Sequence, residues 1–208
     1  WLQHKFIGPL GLNLQIGHGA IPLEHIAHYE VPAAHDTPEF DPLSEFARPI
    51  SLNGLIVPRM RGLASAVNNP AFREPELAGF NGFSDAESLA RFYAATLGYI
   101  NDVSLISSDI VKDATQLLSY GNDTISGLPG PNWGAGLMVP WRVQPMLGEG
   151  SFGHDGAGGA LAFAHRPSGV SFAYIRNRAG LPGERDRLVY RVVEAMADCL
   201  KISLPTFP

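Results

Sequence analysis

The stretch Phe152-Gly153-His154-Asp155-Gly156-Ala157-Gly158-Gly159-Ala160-Leu161-Ala162-Phe163 carries four glycines in twelve residues and runs straight into an apolar strand-like segment. Glycine this dense along a strand marks a place where another backbone or a substrate comes close, because a side chain would obstruct it. The overlapping string Gly148-Glu149-Gly150-Ser151-Phe152-Gly153 spells G-x-G-x-x-G, but the context of a nucleotide site is missing. A glycine loop over ATP should be followed within one strand by a lysine, and Lys201 is the only lysine downstream; neither H-R-D nor D-F-G occurs. A dinucleotide turn should feed a helix, whereas more glycine and then strand-like sequence follow.

Arg166-Pro167-Ser168-Gly169 reads as a hairpin turn between segments Ala160–His165 and Val170–Arg176. Trp133–Val139 and Ser151–Gly156 read as strands before them. The last element, Glu184–Leu200, is expected to be a helix that lays Leu188, Val192, Ala195, Met196 and Cys199 on the sheet. Cys199 is the only cysteine, so no internal disulfide is available, and the spacing predicts a buried structural thiol. Upstream of the turn Gly127–Pro131, Ser84-Asp85-Ala86-Glu87 forms a capping box for a helix whose apolar positions are Leu89, Phe92, Tyr93 and Leu97, closed by Gly98. A second helix is predicted over Ser108–Leu118. From residue 20 to 75 prolines break every periodic stretch, and the chain opens on residues that read as the end of a helix, stopped at Gly8-Pro9-Leu10-Gly11-Leu12. An N-terminus further upstream is therefore expected.

The 208 residues are 45% hydrophobic and 17% charged, which excludes a disordered chain. A net charge of -5 without any Lys/Arg-rich stretch argues against nucleic acid as a partner, and no apolar run approaches the roughly 18 residues of a membrane span. His18, His25, His28 and His35 invite a metal reading, but no H-E-x-x-H or cysteine pair completes a site, so neither metal nor other cofactor is expected. Asp85 with Glu87, and Glu74 with Glu76, are explained by capping and solvation more simply than as acid/base pairs.

Segment Phe152–Gly159 resembles the third motif of β-lactamase-like serine hydrolases, which is Lys-Thr-Gly in penicillin-binding proteins and His-x-Gly in many esterases. Pro9-Leu10-Gly11-Leu12 resembles the family's Pro-Leu-Gly-Met/Leu turn, Asn81–Leu97 its Gly-x-x-Ser/Thr-Ala helix, Trp133-Gly134-Ala135-Gly136-Leu137 its Tyr-Gly-x-Gly-Trp strand, and Gly169–Arg178 the strand after the third motif. These matches stand in the right order and together cover most of the chain. The resemblance implies that His154 faces the cleft, that Gly153 and Gly156 give a substrate clearance, and that the Ala157 N–H is one of two oxyanion donors, the second being the N–H of a nucleophilic serine.

One departure bears on catalysis. The family's nucleophile stands in Ser-x-x-Lys, and the residues three before Lys5, Lys112 and Lys201 are Leu2, Asp109 and Asp198. Tyr99-Ile100-Asn101 and Tyr120-Gly121-Asn122 spell the family's Tyr-x-Asn, but both follow the Pro-Leu-Gly turn, whereas the family's element precedes it. The implied fold is of α/β (α+β) type: an all-α lobe over 1–130, then an antiparallel sheet with a C-terminal helix over 131–208. The implied function is that of the C-terminal half of a serine hydrolase that forms an acyl-enzyme from a small ester or amide. The nucleophile would sit in a missing N-terminal half, whose absence would expose a sheet edge and an apolar face. Histidine in place of lysine tilts the substrate from β-lactams toward carboxylic esters. The alternative is a non-catalytic interaction or assembly module. The Gly153–Gly159 segment is expected to border the largest cleft, with His154 pointing into it.

Overall fold

A computed structural model describes residues 1–17, 19, 21–30, 48, 65–98, 100, 106–124, 129–156, 158–179 and 185–206. The architecture is mixed, helices and antiparallel strands packed together. A five-stranded antiparallel sheet runs β3 (Asn132–Trp133), β4 (Met138–Val139), β5 (Ser151–Asp155), β6 (Leu161–His165), β7 (Val170–Tyr174) in that order. The stretch expected as one strand over Trp133–Val139 is instead a tight hairpin: Gly134 donates to Leu137 O at 2.8 Å, and Gly136 sits at φ +79°, a conformation that favours glycine. Among the described residues β7 pairs only with β6, so its other edge is open.

Strand β6 is buried along its whole length because both faces of the sheet are covered. Its period of two sends Leu161 and Phe163 to one face, where Met138, Met146, Leu147, Val189, Val193 and Ala197 complete the core. Ala162 and Ala164 point the other way, onto Tyr93, Val111 and Phe152. The C-terminal helix α3 (Arg185–Leu200) thus covers one face, and α1 (Ala86–Thr96) with α2 (Ser108–Ala114) covers the other.

The helix α3 lies where the periodicity put it but turned about its axis. Its sheet-facing stripe is Val189, Val193 and Ala197, with Met196 partly buried, while Leu188 is 50% and Val192 44% exposed. Ala195 and Cys199 are exposed as well, so Cys199 is no buried thiol. For α1 the cap is Asp85 rather than Ser84: its carboxylate accepts from the Ser88 N–H at 2.7 Å, and Ser84 turns its hydroxyl to Asp85 O. Helix α2 ends four residues short of the expected Leu118. Thr115 folds its hydroxyl back onto Val111 O, and the N–H groups of Leu118 and Ser119 leave the helix to reach Trp133 O. Ile110, Leu117 and Leu118 stay exposed as a result.

The turn Gly8–Leu10 ends at Gly11, φ +59°, and Ile7, Leu10 and Leu12 pack under Ala95 of α1. Strand β1 (Leu14–Ile16) pairs antiparallel with β2 (Gly82–Ser84), and Ser88 Oγ accepts from Asn13 N–H. No helix among the described residues is long and apolar enough to cross a membrane.

Candidate functional site

Strand β5 presents its last residues at the sheet's end. Gly153 is buried, and a Cβ there would run into Ala162 O and Phe163, so the neighbouring strand takes the space that glycine leaves. His154 is exposed, its ring tilted 46° to that of Trp133 with centroids 5.5 Å apart. Past it the chain turns tightly: Gly156 N–H donates to Ala160 O and Gly159 N–H to Gly156 O, each at 2.8 Å. Gly156 is exposed and a Cβ would meet only Ala160 at 3.6 Å. Ala157 lies outside the described residues.

Two cavities are lined by described residues. A cavity of about 810 Å³ opens between β1–β2, the loop over residues 21–29 and the chain leaving β7. A second, of about 620 Å³, lies between Thr96, Ser108, Glu149 and Arg166. His154 lines neither of these two. The link to the larger cavity runs through Tyr29, which lines it and whose phenol oxygen fills the place of a Gly158 side chain.

Sequence reading passed over that second group of residues. Asn68 clamps Tyr29 at both backbone atoms, accepting from its N–H and donating to its C=O, each at 2.8 Å. Arg73, 8% exposed, donates through Nη2 to the same Asn68 oxygen. Glu30 then forms a parallel bridge with Arg178, its N–H on Asn177 O at 2.7 Å. Burial raises the Tyr29 phenol above its ordinary pKa, against the opposing pull of the Arg176 guanidinium. No local pattern announces these contacts, which join residues far apart in sequence.

The other candidates fall out differently. Of the four histidines, His28 Nε2 lies 3.4 Å from Asn68 Nδ2, His25 lines the larger cavity, and His18 and His35 lie outside the described residues. Among the described residues no three metal-ligating side chains converge. Asp85 is committed to its cap, and the Ser88 N–H lowers its pKa. Tyr120-Gly121-Asn122 sits in solvent, Tyr120 being 75% exposed; Tyr99 and Asn101 lie outside the described residues.

A family model described as Beta-lactamase matches residues 26–197. No curated protein matches the chain. Among solved structures, EstA from Arthrobacter nitroguajacolicus superposes with a TM-score of 0.75 at 23% identity, over 94% of this chain and 53% of that one. A penicillin-binding protein homologue from Caulobacter crescentus gives 0.63 at 29% identity, over 95% and 51%. A family VIII carboxylesterase gives 0.67 at 20% identity, over 89% and 47%. The chain spans about half the length of these structures.

Proposed function

The chain belongs to the beta-lactamase family, and from that premise we propose that it forms the C-terminal half of a serine hydrolase cleaving small carboxylic esters through an acyl-enzyme. The observation that carries the reading is the placement of His154, exposed at the end of β5, its ring tilted against that of Trp133, and followed at once by the hydrogen-bonded Gly156–Ala160 turn. Glycine-rich backbone at a strand end leaves N–H groups accessible to a substrate oxygen. An esterase, a carboxylesterase and a penicillin-binding protein homologue among its structural relatives support the same reading.

In this scheme a serine Oγ from the other half bonds to the ester carbonyl carbon. The Ala157 N–H and the serine's own N–H hold the oxyanion, the alcohol departs with a proton, and water then cleaves the acyl-serine ester. His154 contacts the substrate beside the oxyanion. With histidine rather than lysine there, fixed positive charge for a substrate carboxylate is smaller, which favours neutral esters. The division near residue 130 into helical and sheet lobes belongs to the same proposal.

The nucleophile is assigned to the other half because no Ser-x-x-Lys occurs in the 208 residues. The test is to treat the purified 208-residue chain with p-nitrophenyl acetate and a fluorophosphonate, beside the longer reading frame. One labelled serine and turnover in the longer protein, with neither in the short chain, is the expected result. Stoichiometric labelling of the short chain overturns the half-enzyme reading, and an inert longer protein would favour the assembly module.

A further inference from the structure

The cavity of about 810 Å³ is within the size range of small-molecule sites, and its walls are fixed before anything enters. Tyr29 is held at both backbone atoms by Asn68, which is itself held by Arg73. The loop that bears Tyr29 is fastened to the chain leaving β7 by Ala179 N–H on Glu30 O at 2.8 Å and Asn177 Nδ2 on His28 O at 3.1 Å.

One side of the cavity is apolar. Phe72 and Phe80 meet edge to face, centroids 5.0 Å apart, and Ile21 and Ile26 join them. The polar part of the lining carries two cations, Arg176 and Arg73, and a buried unpartnered acceptor, Gln15 Oε1. Arg176 spends its Nε–H on Arg178 O, but its Nη1 is buried with no hydrogen-bond partner. A buried guanidinium N–H without an acceptor is costly and uncommon, and it is the group that a carboxylate satisfies best. Tyr29, kept protonated by its burial, adds a neutral donor beside it. The carboxylate in the same lining, Asp85, is turned to Ser88 N–H and Asn13 Nδ2, and the other cation, Arg73, is occupied by Asn68 and Val67 O.

We propose that this cavity binds a small amphipathic carboxylate, its anionic end on Arg176 beside the Tyr29 phenol and its apolar tail against Phe72 and Phe80. The site stands apart from His154, and binding needs no nucleophile, so its success or failure is independent of the hydrolase reading.

The probe is octanoate, with octanamide as the neutral comparator, titrated calorimetrically into the 208-residue chain. Octanoate should bind saturably at one site per chain, and octanamide about tenfold or more weakly, as expected when a charge-assisted hydrogen bond is lost. Arg176→Met should bring octanoate down to the level of octanamide, Arg176→Lys should restore part of the difference, and Tyr29→Phe should weaken octanoate alone. Ile26→Glu, which places a carboxylate in the cavity, should abolish octanoate binding. Should Arg176→Met fail to fold, the octanoate–octanamide difference and Ile26→Glu decide the matter without it. The proposal is overturned by the absence of saturable octanoate binding, by equal binding of octanamide, or by a folded Arg176→Met chain that binds octanoate as before.

Discussion

The phenol oxygen of Tyr29 occupies the position that a side chain on Gly158 would need. A loop residue clamped by Asn68 therefore leans on the turn that follows β5, and the glycine there answers to Tyr29. Gly158→Ala should push the two apart at a cost of about 1–3 kcal/mol, the usual range for overpacking. Truncating Tyr29 to Ala in the same chain should recover part of that loss, so the double mutant will be less destabilised than the two singles summed. Urea denaturation of the four proteins measures the coupling; additive losses would place Tyr29 away from the turn.

The buried His165 makes the fold sensitive to acid. It is 4% exposed, its Nε2–H donates to Glu149 O at 3.1 Å, and its Nδ1 accepts from Ser168 Oγ at 2.7 Å, an arrangement that suits the neutral ring. Burial lowers its pKa, against a smaller opposing effect of the Glu149 carbonyl. A base with a depressed folded pKa binds its proton more readily unfolded, so its contribution is intact above the unfolded value of about 6.5 and is lost as pH falls below it. Thermal melts between pH 7.5 and 5 should show the midpoint falling with acid, and His165→Gln should flatten that dependence.

The helix α3 has two apolar stripes, and only one lies on the sheet. Val193→Ala should cost about 1.5–3 kcal/mol, because it strips methyl groups from a fully buried position. Leu188→Ala, at a half-exposed position, should stay within about 0.5 kcal/mol. Under the half-enzyme proposal the exposed stripe and the open edge of β7 are where the other half docks. Leu188→Asp should then leave the 208-residue chain as stable as before and weaken its association with a co-expressed N-terminal half, as read by co-purification.

Helix α1 and the β5–β6–β7 meander are local matters of capping, turn chemistry and period, and the sequence displays all three. The face of α3 was not legible because Leu188, Val192 and Cys199 form a stripe as regular as Val189, Val193 and Ala197, offset by one residue or about 100°. Only packing against Phe163 and Leu161 chooses between them. Ser84 and Asp85 pose the same kind of choice, two adjacent residues able to cap. His154 and its glycines were visible as a motif, but its exposure against Trp133 depends on a hairpin that reads, residue by residue, as one strand. The Tyr29 cavity left no local trace, since Asn68 lies 39 residues from Tyr29 and Asn177 lies 149 from His28.

A role for His154 in the reaction and a role in the fold have different consequences. Its side chain is exposed and rests against the Trp133 ring, so His154→Ala should change the stability of the 208-residue chain by no more than about 0.5 kcal/mol. In the longer protein the same change should lower kcat/KM for p-nitrophenyl acetate by about ten- to a hundredfold, the loss expected when one polar contact to the reacting group is removed. His154→Lys supplies the fixed charge that histidine lacks. It should raise kcat/KM for an ester bearing a carboxylate relative to p-nitrophenyl acetate, because the ammonium attracts that carboxylate while the neutral ester gains nothing. Turnover unchanged in both variants, with the fold intact, would remove His154 from the site.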